Sequence, residues 1–360
     1  MMSYLQNKTK NYINRRRTFK NPPKVKGFDF SDNEILDALR KNKILMCIIF
    51  TPQKCNLACP YCFTSNFTNG RNFLSLDQYK NIIKQVKRLG AKSIWWVGNG
   101  EPFLYKYWRE LIDYITIQHM WIGIFTNGTK ITKEIADFLN TSNVSLYVKM
   151  NSFNPEVQDE LVGGIKGTYN EIRSSILNLL AVGFNTKNRL AIETVITRKN
   201  YNEIPLIFMW ARLNNIIPFI EMMEYANIHA RKLDVSMFEH KNLFYKLLDI
   251  DQKEFGYKWT PSPPWVAERC RNLYFSITID AEGYIKPCSG LALKIGNIAE
   301  KPLEYWWYTP ELRQFRDPSK LEPNENTLGN YGCKSHAYHL TGNPFAVDPR
   351  ILNFRKNSNE

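Results

Sequence analysis

"ILMCIIFTPQKCNLACPYCF" (residues 44–63) opens with seven unbroken apolar residues, Ile44 to Phe50, and closes on a loop that places Cys55, Cys59 and Cys62 within a few positions of one another. A short apolar run ended by polar residues and a proline reads as a buried strand. Thiols separated by three and then two residues can converge from one loop on a single metal centre, because the short spacers let the backbone curl with the sulfurs inward. A structural zinc site would close its tetrahedron with a fourth protein ligand. From Phe63 to Gly128 the sole His or Cys is His119, in a different segment, so three ligands leave an open position. A cubane iron–sulfur cluster on three thiolates exposes one iron to a substrate or cosubstrate, whereas simple electron carriers use four cysteines. A zinc ribbon or a redox dithiol is the alternative.

Outward from this loop, strand-like runs alternate with helical patterns, which predicts βα repeats and a parallel sheet. Six strands are expected at 44–51, 93–98, 121–128, 144–152, 189–198 and 218–226. Between them lie amphipathic stretches such as "SLDQYKNIIKQVKRLG", with Ile82, Ile83, Val86 and Leu89 on one face and Gly90 as a stop. The expected fold class is α/β: a partial (β/α)6 TIM-like barrel over residues 44–232. Ligands in such sheets collect at the carboxyl ends of the strands. The polar interruptions fall there: Gly98, Asn99, Gly100 and Glu101, then Thr126 and Asn127, Asn151 and Ser152, and Arg198 and Asn200.

A helical linker is expected over 233–265, ending in "WTPSPPW" (259–265). Residues 266–350 then read as a small α+β domain: a hairpin turned by "DAEG", a helix "PLEYWWYTPELRQF" and a loop-rich segment containing Cys333. Residues 351–360 form a tail, and residues 1–43 a basic arm with one short helix.

With 360 residues, 44% of them apolar, the chain can bury a large core. Its longest apolar run falls far short of the roughly 20 residues that cross a bilayer, and no secretory signal layout is evident. No membrane partner and a cytoplasmic location are expected. Seven cysteines are too few and too unevenly spread for a disulfide scaffold, which favours metal or cluster binding. Of the formal net charge of +14, eight basic residues (Lys8, Lys10, Arg15, Arg16, Arg17, Lys20, Lys24, Lys26) precede the first acid, Asp29. The arm reads as a solvated extension, with binding to an anionic partner as the other reading. Nucleic acid is not expected, since basic residues interleaved with aromatics on one face are not evident beyond residue 26.

The loop of Cys55, Cys59 and Cys62, with Tyr61 before the last thiol, resembles the cluster loop of the radical SAM superfamily. "GNGEP" (98–102) is similar to that family's Gly-Gly-Glu-Pro segment, with Asn99 in place of the second glycine. The resemblance implies a [4Fe-4S] cluster whose open iron is chelated by S-adenosyl-L-methionine. Reductive cleavage would yield methionine and a 5′-deoxyadenosyl radical that abstracts a substrate hydrogen, with a flavodoxin- or ferredoxin-type reductant supplying the electron. By resemblance, Gly100 and Glu101 hold the methionyl amine, Tyr61 lends backbone contacts to the adenine, and Asn151, Ser152, Glu193 and Arg198 are secondary cofactor contacts. Glu193 could instead be a paired carboxylate within its strand.

Cys270, the Gly283-x4-Cys288 pattern and Cys333 resemble the SPASM/twitch extension of these enzymes, which implies an auxiliary [4Fe-4S] cluster. A full extension carries about seven cysteines and two clusters; here three cysteines support one at most. The fourth ligand is unassigned: His336 or His339 could supply a nitrogen, the substrate could occupy an open iron, and a zinc site is a further alternative. Cys47 reads as a small buried apolar residue, or as a catalytic thiol that donates hydrogen to a substrate radical, as an epimerase requires. The expected reaction is dehydrogenation or epimerisation of a small polar substrate, a sugar or aminocyclitol, since no peptide-recognition extension is apparent before residue 44. Ribosomal-peptide modification, by crosslinking or epimerisation, is the enzymatic alternative, and a non-catalytic zinc-bearing nucleic-acid-binding protein the alternative from another class.

Overall fold

Apolar strands that each feed an amphipathic helix produce the predicted βα succession. The structure, a computed structural model, describes residues 19–52, 55–64, 73–225, 227–259, 270–317 and 332–351. The arm residues up to Arg17, most of "WTPSPPW" and all but the first residue of the tail lie outside the described residues.

The strands β1 (Met46–Ile49), β2 (Ser93–Trp96), β3 (Trp121–Thr126), β4 (Val144–Lys149), β5 (Leu190–Val195) and β6 (Ile217–Glu221) fall within or at the edge of the six predicted runs and pair in parallel. The helices are α1 (Asp32–Arg40), α2 (Leu76–Arg88), α3 (Trp108–Ile117), α4 (Lys133–Thr141), α5 (Pro155–Leu161), α6 (Thr168–Ala181), α7 (Ile204–Leu213) and α8 (Met237–Ile250). Helix α2 starts where Ser75 and Gln78 form a reciprocal capping box, and Ser236 with Glu239 does the same for α8.

Because successive strand residues face opposite sides of a sheet, each strand divides its residues between two layers. Ile94, Trp96, Ile122, Ile124, Leu146 and Val148 pack outward against Ile82, Val86, Leu111, Ile115, Leu139 and Ile172 of the helices. Each such side chain, fully removed from water, contributes about 1.5–3 kcal/mol. The alternate residues Trp95, Phe125, Tyr147 and Phe219 form an inner aromatic layer; the Phe125 and Tyr147 rings are stacked at 4.3 Å. Val25 and Phe28 pack against this layer from below, and Ser145 Oγ donates to the Lys26 carbonyl at 2.8 Å. The described end of the N-terminal arm is therefore part of the barrel rather than the solvated extension expected of it.

The predicted hairpin is present as β7 (Ser276–Ile279) and β8 (Tyr284–Lys286), turned where Asp280 Oδ1 accepts from the Glu282 and Tyr284 amides. It does not stand apart. β7 pairs in parallel with β1, and the strands form one nine-stranded sheet in the order β6-β5-β4-β3-β2-β1-β7-β8-β9, with β9 at Gly296–Asn297. An open barrel leaves the free edge of β1 with unpaired backbone groups, and the C-terminal hairpin pairs with it. The predicted helix "PLEYWWYTPELRQF" is instead two, α9 (Leu303–Trp307) and α10 (Pro310–Arg313), because Pro310 cannot continue a helix from within. A last helix, α11 (Lys334–Thr341), begins directly after Cys333. Among the described residues no helix is long and apolar enough to cross a membrane.

Candidate active site

The carboxyl ends of the strands surround a cavity of about 980 Å³. All three thiols of the first loop and all three of the C-terminal region line it. The first loop is held in shape by its own backbone: Cys62 N donates to Cys59 O at 3.0 Å and Ala58 N to Val162 O at 3.1 Å. Asn227 Nδ2, from beyond β6, donates to Pro60 O at 3.0 Å, and Asn127 Nδ2 to Asn56 Oδ1 at 3.0 Å. Leu57 N points at Cys55 Sγ, 3.4 Å away. Burial raises the Cys55 thiol and pushes Cys59 up to about 12. Metal-free, these groups keep their protons at neutral pH, and iron binding would release them.

Gly98, Asn99, Gly100 and Glu101 all line the cavity. Gly100 has φ +152°, a region that disfavours a Cβ, so the turn calls for glycine there. Glu101 is 1% exposed, and its carboxylate accepts from Thr126 Oγ1 (2.7 Å), Asn127 N (2.8 Å) and Phe103 N (3.3 Å). Burial pushes it up to about 7 against these three donors. Its side chain thus ties the β2 turn to the end of β3. Asn99 Oδ1 is different: it is buried without a hydrogen-bond partner among the described residues. An ammonium group would satisfy it.

Glu193 and Glu221 reach the cavity from neighbouring strands and share Lys149, whose Nζ lies 2.5 Å from Glu193 Oε1 and 3.5 Å from Glu221 Oε1. Burial and the adjacent Glu193 charge hold the Glu221 carboxyl well above the usual range. Glu193 is therefore the paired strand carboxylate that its sequence left open.

Three expected contacts are placed away from the cavity wall. Asn151 spends its amide on Tyr61 Oη and Val195 N, Ser152 donates to Glu203, and Arg198 donates to the Asp234 carbonyl. These three side chains fix the ends of β4 and β5 instead of facing a cofactor; Tyr61 lines the cavity with its ring set among Leu161, Val195 and Met223. Cys47 is fully buried with Ile49, Ile82 and Ile94, while its neighbour Ile48 lines the cavity. The two-residue period of the strand puts the thiol on the helix side, which corrects the expectation of a hydrogen donor.

The second thiol set comes from three segments: Cys270 ahead of β7, Cys288 just after β8, and Cys333 at the start of α11. Backbone amides face each sulfur, from Asn272 and Leu273 at Cys270, Gly290 and Leu291 at Cys288, and His336 at Cys333. Such N–H groups favour the thiolate form that a cluster requires. Burial still prevails, raising Cys270 and Cys333 and pushing Cys288 up to about 12. Glu224, beyond β6, lies among them with His336 Nε2 at 3.3 Å from its Oε1. The sequence reading passed over it, as it did Lys149 and Glu221. Two acids, Glu221 and Glu224, inside the otherwise apolar run "PFIEMMEYA", at the strand end where ligands gather, were the available signal.

Comparison with known proteins agrees with this geometry. The radical SAM superfamily profile matches residues 49–210, and that of an iron–sulfur cluster-binding domain, SPASM, matches 270–333. The mycofactocin maturase MftC of Mycolicibacterium smegmatis is 33% identical over 151 residues, 42% of this chain and 37% of that protein. The chain thus spans well under half the length of that curated relative. An AdoMet-dependent heme synthase of Methanosarcina barkeri is 24% identical over 333 residues, covering 83% of this chain and 93% of that protein. The crystal structure of Streptococcus suis SuiB bound to S-adenosylmethionine superposes with a TM-score of 0.68 at 19% identity, over 90% of this chain and 84% of that one. The matched domains imply a [4Fe-4S] cluster, S-adenosylmethionine and auxiliary iron–sulfur binding. The residues fit: cavity-facing thiols in two sets of three, amides aimed at the sulfurs, and the partnerless Asn99 acceptor. The chain is a member of the radical SAM superfamily and carries a C-terminal SPASM domain.

Proposed function

We propose that this radical SAM enzyme modifies a peptide, in preference to the sugar or aminocyclitol expected from its sequence. The observation that carries the reading is the cavity wall. Trp95, Val97, Phe125, Phe219 and Met222 line the space shared by the two thiol sets. An apolar aromatic wall accommodates an amino-acid side chain, and the polar groups at the floor, Lys149, Glu193 and Glu221, offer partners to its peptide backbone. Support comes from the similarity to the mycofactocin maturase and from the fold shared with SuiB, one structure of which is bound to its precursor peptide SuiA.

On this reading Cys55, Cys59 and Cys62 hold the [4Fe-4S] cluster, with S-adenosylmethionine toward Gly98–Gly100. When bound and supplied with one electron by an external reductant, these groups would provide reductive cleavage of the sulfonium and so the means to take a hydrogen atom from the substrate. The chain's share is positioning and exclusion of water. Glu101 keeps the β2 turn in the shape that presents Asn99 Oδ1, and Tyr61, held by Asn151, sets the far side of the cysteine loop. Lys149 between two carboxylates makes a polar floor, while the aromatic wall keeps water from the reacting centre. Cys270, Cys288 and Cys333 would hold the auxiliary cluster, a site for an electron released in a net oxidation.

Coexpression with each short open reading frame beside the gene tests the proposal. One peptide is expected to change mass in a manner that depends on Cys59. Formation of 5′-deoxyadenosine with small polyols and with none of the peptides would overturn it.

A further inference from the structure

The second thiol set poses a counting problem. Seven cysteines are all the chain has; three serve the first loop and Cys47 is sealed in the helix-side core, so no fourth thiol is left for Cys270, Cys288 and Cys333. The last ligand, if the protein supplies it, is a nitrogen or an oxygen.

The two candidate histidines are committed elsewhere. His339 Nε2 donates to the Gly290 carbonyl at 3.0 Å, and His339 is not among the cavity-lining residues. Arg350 Nη2 lies 2.7 Å from His336 Nδ1. A guanidinium can only donate, so Nδ1 of neutral His336 accepts and the ring proton sits on Nε2. Nε2 is the atom that faces the site, 3.3 Å from Glu224 Oε1. It presents a hydrogen there instead of a lone pair.

Glu224 has the opposite character. Both carboxylate oxygens are buried and make no hydrogen bond of good geometry among the described residues, with only the Ser335 hydroxyl and the Tyr225 amide near enough to favour the charged form, although a buried carboxylate normally has a full partner. A carboxylate oxygen of Glu224, the Cys333 sulfur and a His336 ring nitrogen all lie within 4.8 Å of one another. The Glu224 charge acts on all three thiols of the set. Gly290 makes the approach possible: a Cβ there would come within 2.7 Å of both Glu224 Oε2 and Ser335 Oγ.

We propose that Glu224 is the fourth protein ligand of the auxiliary cluster, a carboxylate completing the set of Cys270, Cys288 and Cys333, with His336 Nε2 beside it and not itself a ligand. This rests on the reading that those three thiols bind a cluster. A carboxylate is a harder, weaker ligand to iron than a thiolate, so one corner of the cluster differs from the other three, and that corner borders the shared cavity.

The test uses the full-length chain with Cys55→Ala, Cys59→Ala and Cys62→Ala combined, reconstituted without oxygen and examined by iron and sulfide analysis and EPR. About four irons are expected to remain. Adding Glu224→Gln should lower this to about three and produce the EPR signal of an oxidised three-iron cluster. Glu224→Cys should restore about four irons with an altered spectrum, and His336→Gln should keep them. Four irons and an unaltered spectrum in Glu224→Gln, or loss of iron in His336→Gln alone, would overturn the assignment. If Glu224→Gln does not fold, Glu224→Cys decides: a changed spectrum supports ligation and an unchanged one refutes it. Failure of the underlying reading is separate, since the parent chain would then hold no iron and sulfide, or would keep both after Cys288→Ala.

Discussion

Cys55, Cys59 and Cys62 reach the cavity from a single turn of chain, whereas Cys270, Cys288 and Cys333 are brought there by a strand, a hairpin and a helix N-terminus from distant parts of the sequence. The first set needs little more than its own spacing and a strand in front of it. The second exists because β7 docks on the free edge of β1, which sets Cys270 and Cys288 on either side of a hairpin facing the barrel mouth. Their surroundings differ as well. Lys149 is the cation that bears on Cys59, while Lys286 bears on Cys288, and Lys334 on both Cys270 and Cys333. Cations near a cluster stabilise its reduced, more negative state, and here the Glu224 charge opposes them at all three thiols. On the proposed function, the first centre would stay open to the cosubstrate and the second would receive an electron.

The sharpest way to break this contrast is to remove one thiol from each set. Cys59→Ala should abolish 5′-deoxyadenosine formation from S-adenosylmethionine and dithionite, a loss exceeding the roughly 10–100-fold that follows removal of an outer-shell metal partner. Cys288→Ala should lose about four irons yet retain that cleavage within about tenfold, while substrate turnover fails. Equal loss of cleavage in both variants would mean that the two sets serve one centre and would end the division of labour.

A smaller effect concerns Glu101, which lies beside the first set and has no counterpart so fully engaged beside the second. In an unfolded chain this carboxyl loses its proton near 4.5, whereas burial in the fold delays the loss to about 7. The folded state therefore holds a proton that the unfolded state has released. Its contribution to stability is complete below pH 4.5 and is lost as pH rises through 7, a change of roughly 3 kcal/mol. Urea unfolding of the cluster-free chain across that window should show the decline, and Glu101→Gln should make it shallower, leaving the share of Glu224 and Glu221, which burial also raises. An unchanged slope in the variant would place the proton on another group.

What could be read from the residues alone follows the same contrast. The six parallel strands were legible because each is a short apolar run set between helical patterns, and the first thiol set because its spacing is local. The docking of β7 on β1 was not, since "YFSITID" carries the same alternation whether it pairs with a barrel edge or within a separate sheet. Nor was Glu224 legible as part of the second set, because its partners lie on either side of a fold that the sequence does not draw. Asn151, Ser152 and Arg198 show the converse error. Their position at strand ends was read correctly, but whether such a side chain turns into the cavity or back onto neighbouring backbone depends on the loop that follows.

Cys47 gives the smallest effect, and it tests the sheet itself. It sits on the strand that feeds the first cysteine loop, one residue from cavity-lining Ile48, and a register slip by one would exchange the two. In the observed register, Cys47 pairs with Ile94 of β2 and Ile277 of β7, and its side chain packs with Ile49, Ile82 and Ile94 beneath the helices. Burial alone raises the thiol far above its ordinary value. It behaves as a small apolar residue closed off from any substrate radical. Cys47→Ala should therefore cost about 1 kcal/mol in unfolding free energy, the scale of a small buried truncation, with 5′-deoxyadenosine formation and solvent-deuterium incorporation into product unchanged. Loss of deuterium incorporation with iron content intact would put the thiol inside the cavity and Ile48 outside it. The inner aromatic layer and the pairing of β1 with both β2 and β7 would then have to be redrawn.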